Sequence, residues 1–245
     1  MRPGNVYAVA KYIILSSRAW IYAALGFTLM FPILWLLLLK MVGNPIYVEY
    51  FIVGTVVNTS FGIPFIGASQ DISMFKRETI YSMLFANGAD HFDIALGYII
   101  QVVALSTPSI VALLALAVIM MGIRYGVIQI TLAVAAAILI SLASALLGYA
   151  LGVGVRNYRV VNQVSQIVPW PLLLLAPVYY PITILPTTLR YVALILPTTY
   201  MAFTVEGALN LNLSTLAMGL LGILAYSSAS VLITRYAIAR GEVNG

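Results

Sequence analysis

Charged residues fall in clusters along the 245-residue chain, and six long stretches between them carry none. These are residues 19–39, 50–68, 94–121, 127–155, 161–180 and 213–234. A helix rises about 1.5 Å per residue and needs about 20 apolar residues to cross the hydrocarbon of a bilayer, so each stretch is long enough. The runs are continuously apolar and do not alternate at every second residue, which predicts helices rather than a membrane barrel. The predicted fold class is therefore all-α: one polytopic membrane domain over residues 1–245, with six transmembrane helices.

Two segments depart from a plain six-span bundle. In residues 5–17, Val6, Val9, Ala10, Ile13 and Ile14 recur at helical spacing while Lys11 falls on the other face. That pattern predicts an amphipathic N-terminal helix lying along the membrane surface, although a cytoplasmic extension of the first span has the same periodicity. Residues 181–211 are mostly apolar, yet Pro186 and Pro197 cut them into pieces too short to cross. Arg190 and Glu206 would each cost about 2.5–3.5 kcal/mol at the centre of a bilayer. A re-entrant pair of short helices, dipping into the outer leaflet and returning, meets both constraints. So does an external loop resting on the membrane.

Composition narrows the class further. The chain is 62% hydrophobic and only 8% charged, too few charges to cover a soluble enzyme. It has no cysteine, which removes a disulfide-stapled scaffold. A net charge of +5 would suit nucleic acid, but basic cytoplasmic loops give the same balance, and no nucleic-acid partner is expected. Arg2, Lys11, Arg18, Lys76, Arg77, Arg156, Arg159, Arg235 and Arg240 fall on one side of the predicted bundle. Only Lys40, Arg124 and Arg190 fall on the other. The positive-inside rule then puts both termini in the cytoplasm of a cell (plasma) membrane protein, and the polar-studded N-terminal segment does not read as a cleavable signal.

Candidate chemistry is sparse. No phosphate-binding P-loop occurs, and Gly152-x-Gly154 lacks the third glycine and the preceding strand of a dinucleotide site. His91 stands beside Asp90 and Asp93 at a span boundary, but without a second His or Cys this reads as a solvated cluster and not a metal site. Gly148-x-x-x-Gly152, with Ser144 one turn earlier, gives the fourth span a small-residue face for close helix approach. Every Asp and Glu lies at a boundary or in a connection, which disfavours an ion-coupled carrier and an intramembrane hydrolase. Trp20, Phe27, Phe31 and Trp35 run down one face of the first span. Phe27, Phe31 and Trp35 are candidates for lining a substrate path, though packing or interfacial anchoring explains such a stripe equally directly. The expected molecule is a conduit with no catalytic residue, metal or cofactor of its own.

Residues 71–92 mix charges with Ile80, Met83 and Leu84 at helical spacing, as in a short cytosolic helix that offers an apolar face to a partner. Packing of that helix on its own spans is the alternative. Lys76-Arg77-Glu78-Thr79-Ile80-Tyr81-Ser82-Met83-Leu84-Phe85 is followed much later by Tyr179-Tyr180-Pro181, Leu185-Pro186 and Pro197-Thr198-Thr199. In order and spacing these segments resemble the permease subunits of type-2 ATP-binding-cassette (ABC) exporters. Glu78 stands where that family usually has Gly, and Asn87-Gly88 where Pro is common. The resemblance implies a separate nucleotide-binding ATPase subunit that carries ATP and Mg, and a second permease copy, identical or related. It also implies a pathway between the two copies, lined by the first, second and fifth spans, for an amphiphilic, lipid-like, drug-like or glycan substrate. Coupling to the ATPase would fall to Glu78, Ile80, Met83 and Leu84, and the re-entrant hairpin to Tyr180, Pro181, Pro186 and Pro197. A non-transporting membrane scaffold or assembly factor is the rival reading.

Overall fold

Long charge-free runs become the long helices, and two of these helices carry a proline, Pro64 and Pro108, inside them. The computed structural model describes residues 47–77, 80–122 and 124–239, with isolated positions 9, 11, 15, 26, 30, 33, 34 and 37. Among the described residues, four helices are long and apolar enough to cross a membrane: α1 (Val48–Arg77), α3 (His91–Met121), α4 (Val127–Gly154) and α9 (Leu213–Ala239). Between them lie the short helices α2 (Ile80–Ala86), α5 (Tyr158–Ile167), α6 (Pro169–Leu175), α7 (Thr187–Ile195) and α8 (Pro197–Leu209). No strand occurs among the described residues. The first predicted span and the N-terminal helix fall mostly outside them. Of that segment, Val9 is buried against the inner cluster described below, and Lys11 is exposed.

Two expectations are corrected. α1 does not stop near Ala68 but runs to Arg77, so the connection that follows is shorter than residues 71–92. No Gly or Pro interrupts 68–77, and Asp71 and Lys76 find partners inside the fold. Tyr98 donates to the Asp71 carboxylate at 2.6 Å, and Lys76 Nζ donates to the Val153 carbonyl at 3.0 Å. The stretch 161–180 is not one continuous helix: Pro169 opens α6 directly after α5, and the chain leaves helical geometry at Ala176. Proline has no N–H for the ladder, and Asn162, Gln163 and Gln166 keep α5 amphipathic.

α1 and α4 form the centre of the bundle, with α3 on one flank and α8 and α9 on the other. Close approach is what the small residues provide. A Cβ on Gly152 would sit 2.8 Å from the Ser69 carbonyl oxygen, and one on Gly148 would collide with that of Phe65. The Gly148–Gly152 face is thus spent on packing α4 against α1 within one chain. Buried side chains divide into two clusters. The larger joins Ile52, Phe61, Ile140, Met201 and Val205 toward one end, and the smaller joins Ile72, Ile94, Tyr98, Tyr149 and Val153 toward the other. Large apolar side chains such as Ile119, Leu221, Leu224 and Leu232 face outward, as lipid requires and water would penalise.

Candidate functional site

The end of the bundle that carries Lys76, Arg156 and Arg159 holds α2. Its C-terminus is built by Asn87-Gly88. Gly88 takes a left-handed φ of 82°, the Ala89 N–H donates back to the Leu84 carbonyl at 3.1 Å, and Asn87 Nδ2 donates to the Met83 carbonyl at 2.7 Å. This is a Schellman closure, and it explains glycine where nothing crowds a Cβ. Asp93 is 2% exposed and accepts the Asp90 N–H at 3.2 Å, capping the start of α3. α2 is therefore fixed at its far end. Its side chains split between two environments. Leu84 is half-buried against the inner cluster, whereas Met83 is 63% exposed. Ile80 opens the helix, and Glu78 lies outside the described residues. Nearby, Asn157 caps α5 by accepting the Arg159 N–H at 2.9 Å, and both Arg156 and Arg159 are exposed.

The opposite end carries the hairpin. Pro181 precedes a 3-10 turn (Ile182–Ile184), Pro186 is the residue before α7, and Pro197 is the first residue of α8. Proline suits these places because it lacks the N–H that a first helical turn leaves unpaired. α7 and α8 meet at 89°, which ends the helical ladder at the last carbonyls of α7, where of Ala193, Leu194 and Ile195 only Ala193 keeps a backbone donor, the Leu196 N–H at 3.0 Å. Side chains take them over. Thr199 donates to Ala193, Tyr200 to Leu194 at 2.8 Å, and Tyr226 of α9 to Ile195. Thr198 donates instead to the Leu172 carbonyl of α6. The sequence Pro197-Thr198-Thr199-Tyr200 is thus the mechanical lock of the bend. α8 then runs antiparallel to α9, with Gly207, Gly219 and Gly222 in the seam. Its last carbonyl, Leu209, accepts from Gln129 Nε2 of α4. Tyr180 donates to the Leu174 carbonyl at 2.7 Å, holding the turn out of α6.

Between this hairpin, α1 and α9 lies a cavity of about 410 Å³. Tyr50, Tyr180 and Phe203 supply aromatic walls, Met218 an apolar one, and Glu206 a carboxylate. Glu49 lies close enough for its charge to act on Glu206, and one of its carboxylate oxygens is buried with no hydrogen-bond partner among the described residues. Tyr125, in the connection between α3 and α4, feels the same group. Burial first, and then the Glu49 charge, push its phenol up to about 12. Of the residues that the sequence assigned to the hairpin, Tyr180 and Pro181 line this cavity and Pro186 and Pro197 do not, while Glu49, Tyr50 and Phe203 were not singled out. Glu49 and Glu206 are far apart in the chain, and the signal available was that both are acids beside apolar runs. The stripe Phe27, Phe31 and Trp35 lies outside the described residues.

No curated protein matches the chain. Residues 7–210 match the family model described as ABC-2 type transporter, which covers both the α2 end and the hairpin.

Proposed function

Because the chain belongs to the ABC-2 type transporter family, it is a multi-pass membrane component of an ABC transporter, and we propose that it is the permease subunit of an exporter. A separate ATPase subunit hydrolyses ATP, two permease copies enclose the path, and α2 receives the push of the ATPase. The α2 end faces the cytoplasm and the hairpin faces outside, in keeping with the basic residues at the former. The substrate is amphiphilic, lipid-like, drug-like or a glycan.

The observation that carries this reading is α2 itself: a capped helix at the basic end with a large apolar side chain, Met83, left in the open. An exposed apolar anchor on a rigid short helix is what a partner groove takes up. Truncating such an anchor at an interface costs about 2 kcal/mol or more, whereas a rim charge such as Glu78 costs under about 1 kcal/mol. Met83→Asp is therefore expected to abolish co-purification with the ATPase subunit while leaving thermal unfolding of the permease unchanged. Glu78→Ala is expected to keep assembly and lower coupled transport. Full recruitment of the ATPase by folded Met83→Asp protein would sink the assignment of α2 as the docking element.

A further inference from the structure

The cavity at the hairpin end has a chemistry that transport by ATP does not require. Its walls are aromatic rings from three elements, Tyr50 of α1, Tyr180 of the turn after α6 and Phe203 of α8. Glu206 lines it, and Glu49, which does not, is close enough for its charge to act on Glu206. Two carboxylates brought together in an apolar setting repel each other and lose hydration, and such groups are normally found paired. Among the described residues neither is paired with a Lys, Arg or His. Of the described cations of that end, Arg190 Nη2 donates to the Thr183 and Leu185 carbonyls at 3.3 and 3.4 Å, and Arg124 is exposed on the connection before α4; Lys40 lies outside the described residues. Thr183, Ser214 and Thr215 add hydroxyls to the wall, and among the described residues no Lys or Arg lines the cavity to balance the carboxylate or hold an anion.

From this arrangement we infer that the cavity is a binding site for an organic cation, an amine or quaternary ammonium carried on a small apolar body. The carboxylates supply the countercharge, and the faces of Tyr50, Tyr180 and Phe203 supply the cation–π surface. The volume falls within the range of about 300–1,000 Å³ typical of small-molecule sites. The inference rests on the transport reading above and narrows its substrate class.

The test uses purified full-length permease in nanodiscs and equilibrium dialysis with benzyltrimethylammonium as probe. Benzyl alcohol and methyl β-glucoside serve as neutral comparators. The wild-type protein should retain the ammonium and neither comparator. Glu206→Gln, which keeps the shape and removes the charge, should weaken retention by about tenfold or more, equivalent to about 1.4 kcal/mol or more. Glu49→Gln should weaken it in the same direction, and guards against a folding defect in the first variant. Retention unchanged in both variants, no retention by the wild type, or equal retention of either comparator would overturn the site. ATPase co-purification is read on the same preparations. A permease that recruits its ATPase but ignores the ammonium removes the cation site and leaves the transport reading standing. One that binds the ammonium but recruits no ATPase does the reverse.

Discussion

Thr199 is fully buried, and its hydroxyl has one task, to satisfy the Ala193 carbonyl that the bend exposes. Thr199→Val keeps the shape and removes one of two donors to that carbonyl, the other being the Leu196 N–H at 3.0 Å, so the loss is a single hydrogen bond of about 0.5–1.5 kcal/mol. The midpoint of thermal unfolding in detergent should fall, whereas Thr188→Val, on the exposed face of α7, should leave it in place. Gly148 offers a second measurement of the same kind. Gly148→Val forces atoms into the Phe65 carbonyl and should cost about 1–3 kcal/mol, while Gly154→Ala, which points into open space, should cost nothing measurable. The prolines at 186 and 197 were legible in the sequence because a proline's constraint is local. The partners of Thr198, Thr199 and Tyr200 were not, since a hydroxyl carries no mark of which carbonyl it will meet.

At the scale of elements, the length of an apolar run predicted a helix well and its ends poorly. α4 and α9 begin at the residues where their charge-free runs begin. α1 overran its own because Asp71 and Lys76 have partners on α3 and α4, and pairing across helices is invisible along one chain. In residues 161–180 the absence of charge concealed Pro169 and a row of amides. The sequence predicted a short cytosolic helix over residues 71–92, of which only 80–86 form α2, and the division between Leu84 inward and Met83 outward needed the neighbouring spans. The cap of α2 gives a prediction at this scale. A β-carbon at a left-handed position costs about 1–2 kcal/mol, so Gly88→Ala should fray the last turn of α2. Hydrogen exchange over residues 80–90 should quicken, with α3 and α4 unaffected. Unchanged protection in that segment would mean that the cap does not govern the helix.

Across the whole molecule, the native absence of cysteine lets single introduced cysteines report topology without background. Asn87 and Asn157 are exposed at the basic end, and Thr187 and Asn212 at the hairpin end. Cysteines at the first pair should label only from the cytoplasm, and at the second pair only from outside. Labelling of Asn157 and Thr187 from the same face would invert or break the proposed orientation. The charge bias predicts this sidedness as a sum over loops, so the expectation does not depend on any one contact. The cavity at the hairpin end was not legible, because it exists only when α1, α8 and α9 are assembled.

The bend between α7 and α8 also orders the events of synthesis. Its third carbonyl, that of Ile195, is closed by Tyr226, which lies about 20 Å along α9 at 1.5 Å per residue and leaves the ribosome some thirty residues later. The seam glycines Gly219 and Gly222 belong to the same late segment. Until α9 has been threaded, the hairpin has a proline-fixed corner and the faces of α1 and α4 to lie against, but an open acceptor at Ile195 and an uncovered seam. The last span is thus the latch of the one before it, and a nascent chain halted before residue 226 should expose residues 187–209 to protease that the finished chain withstands.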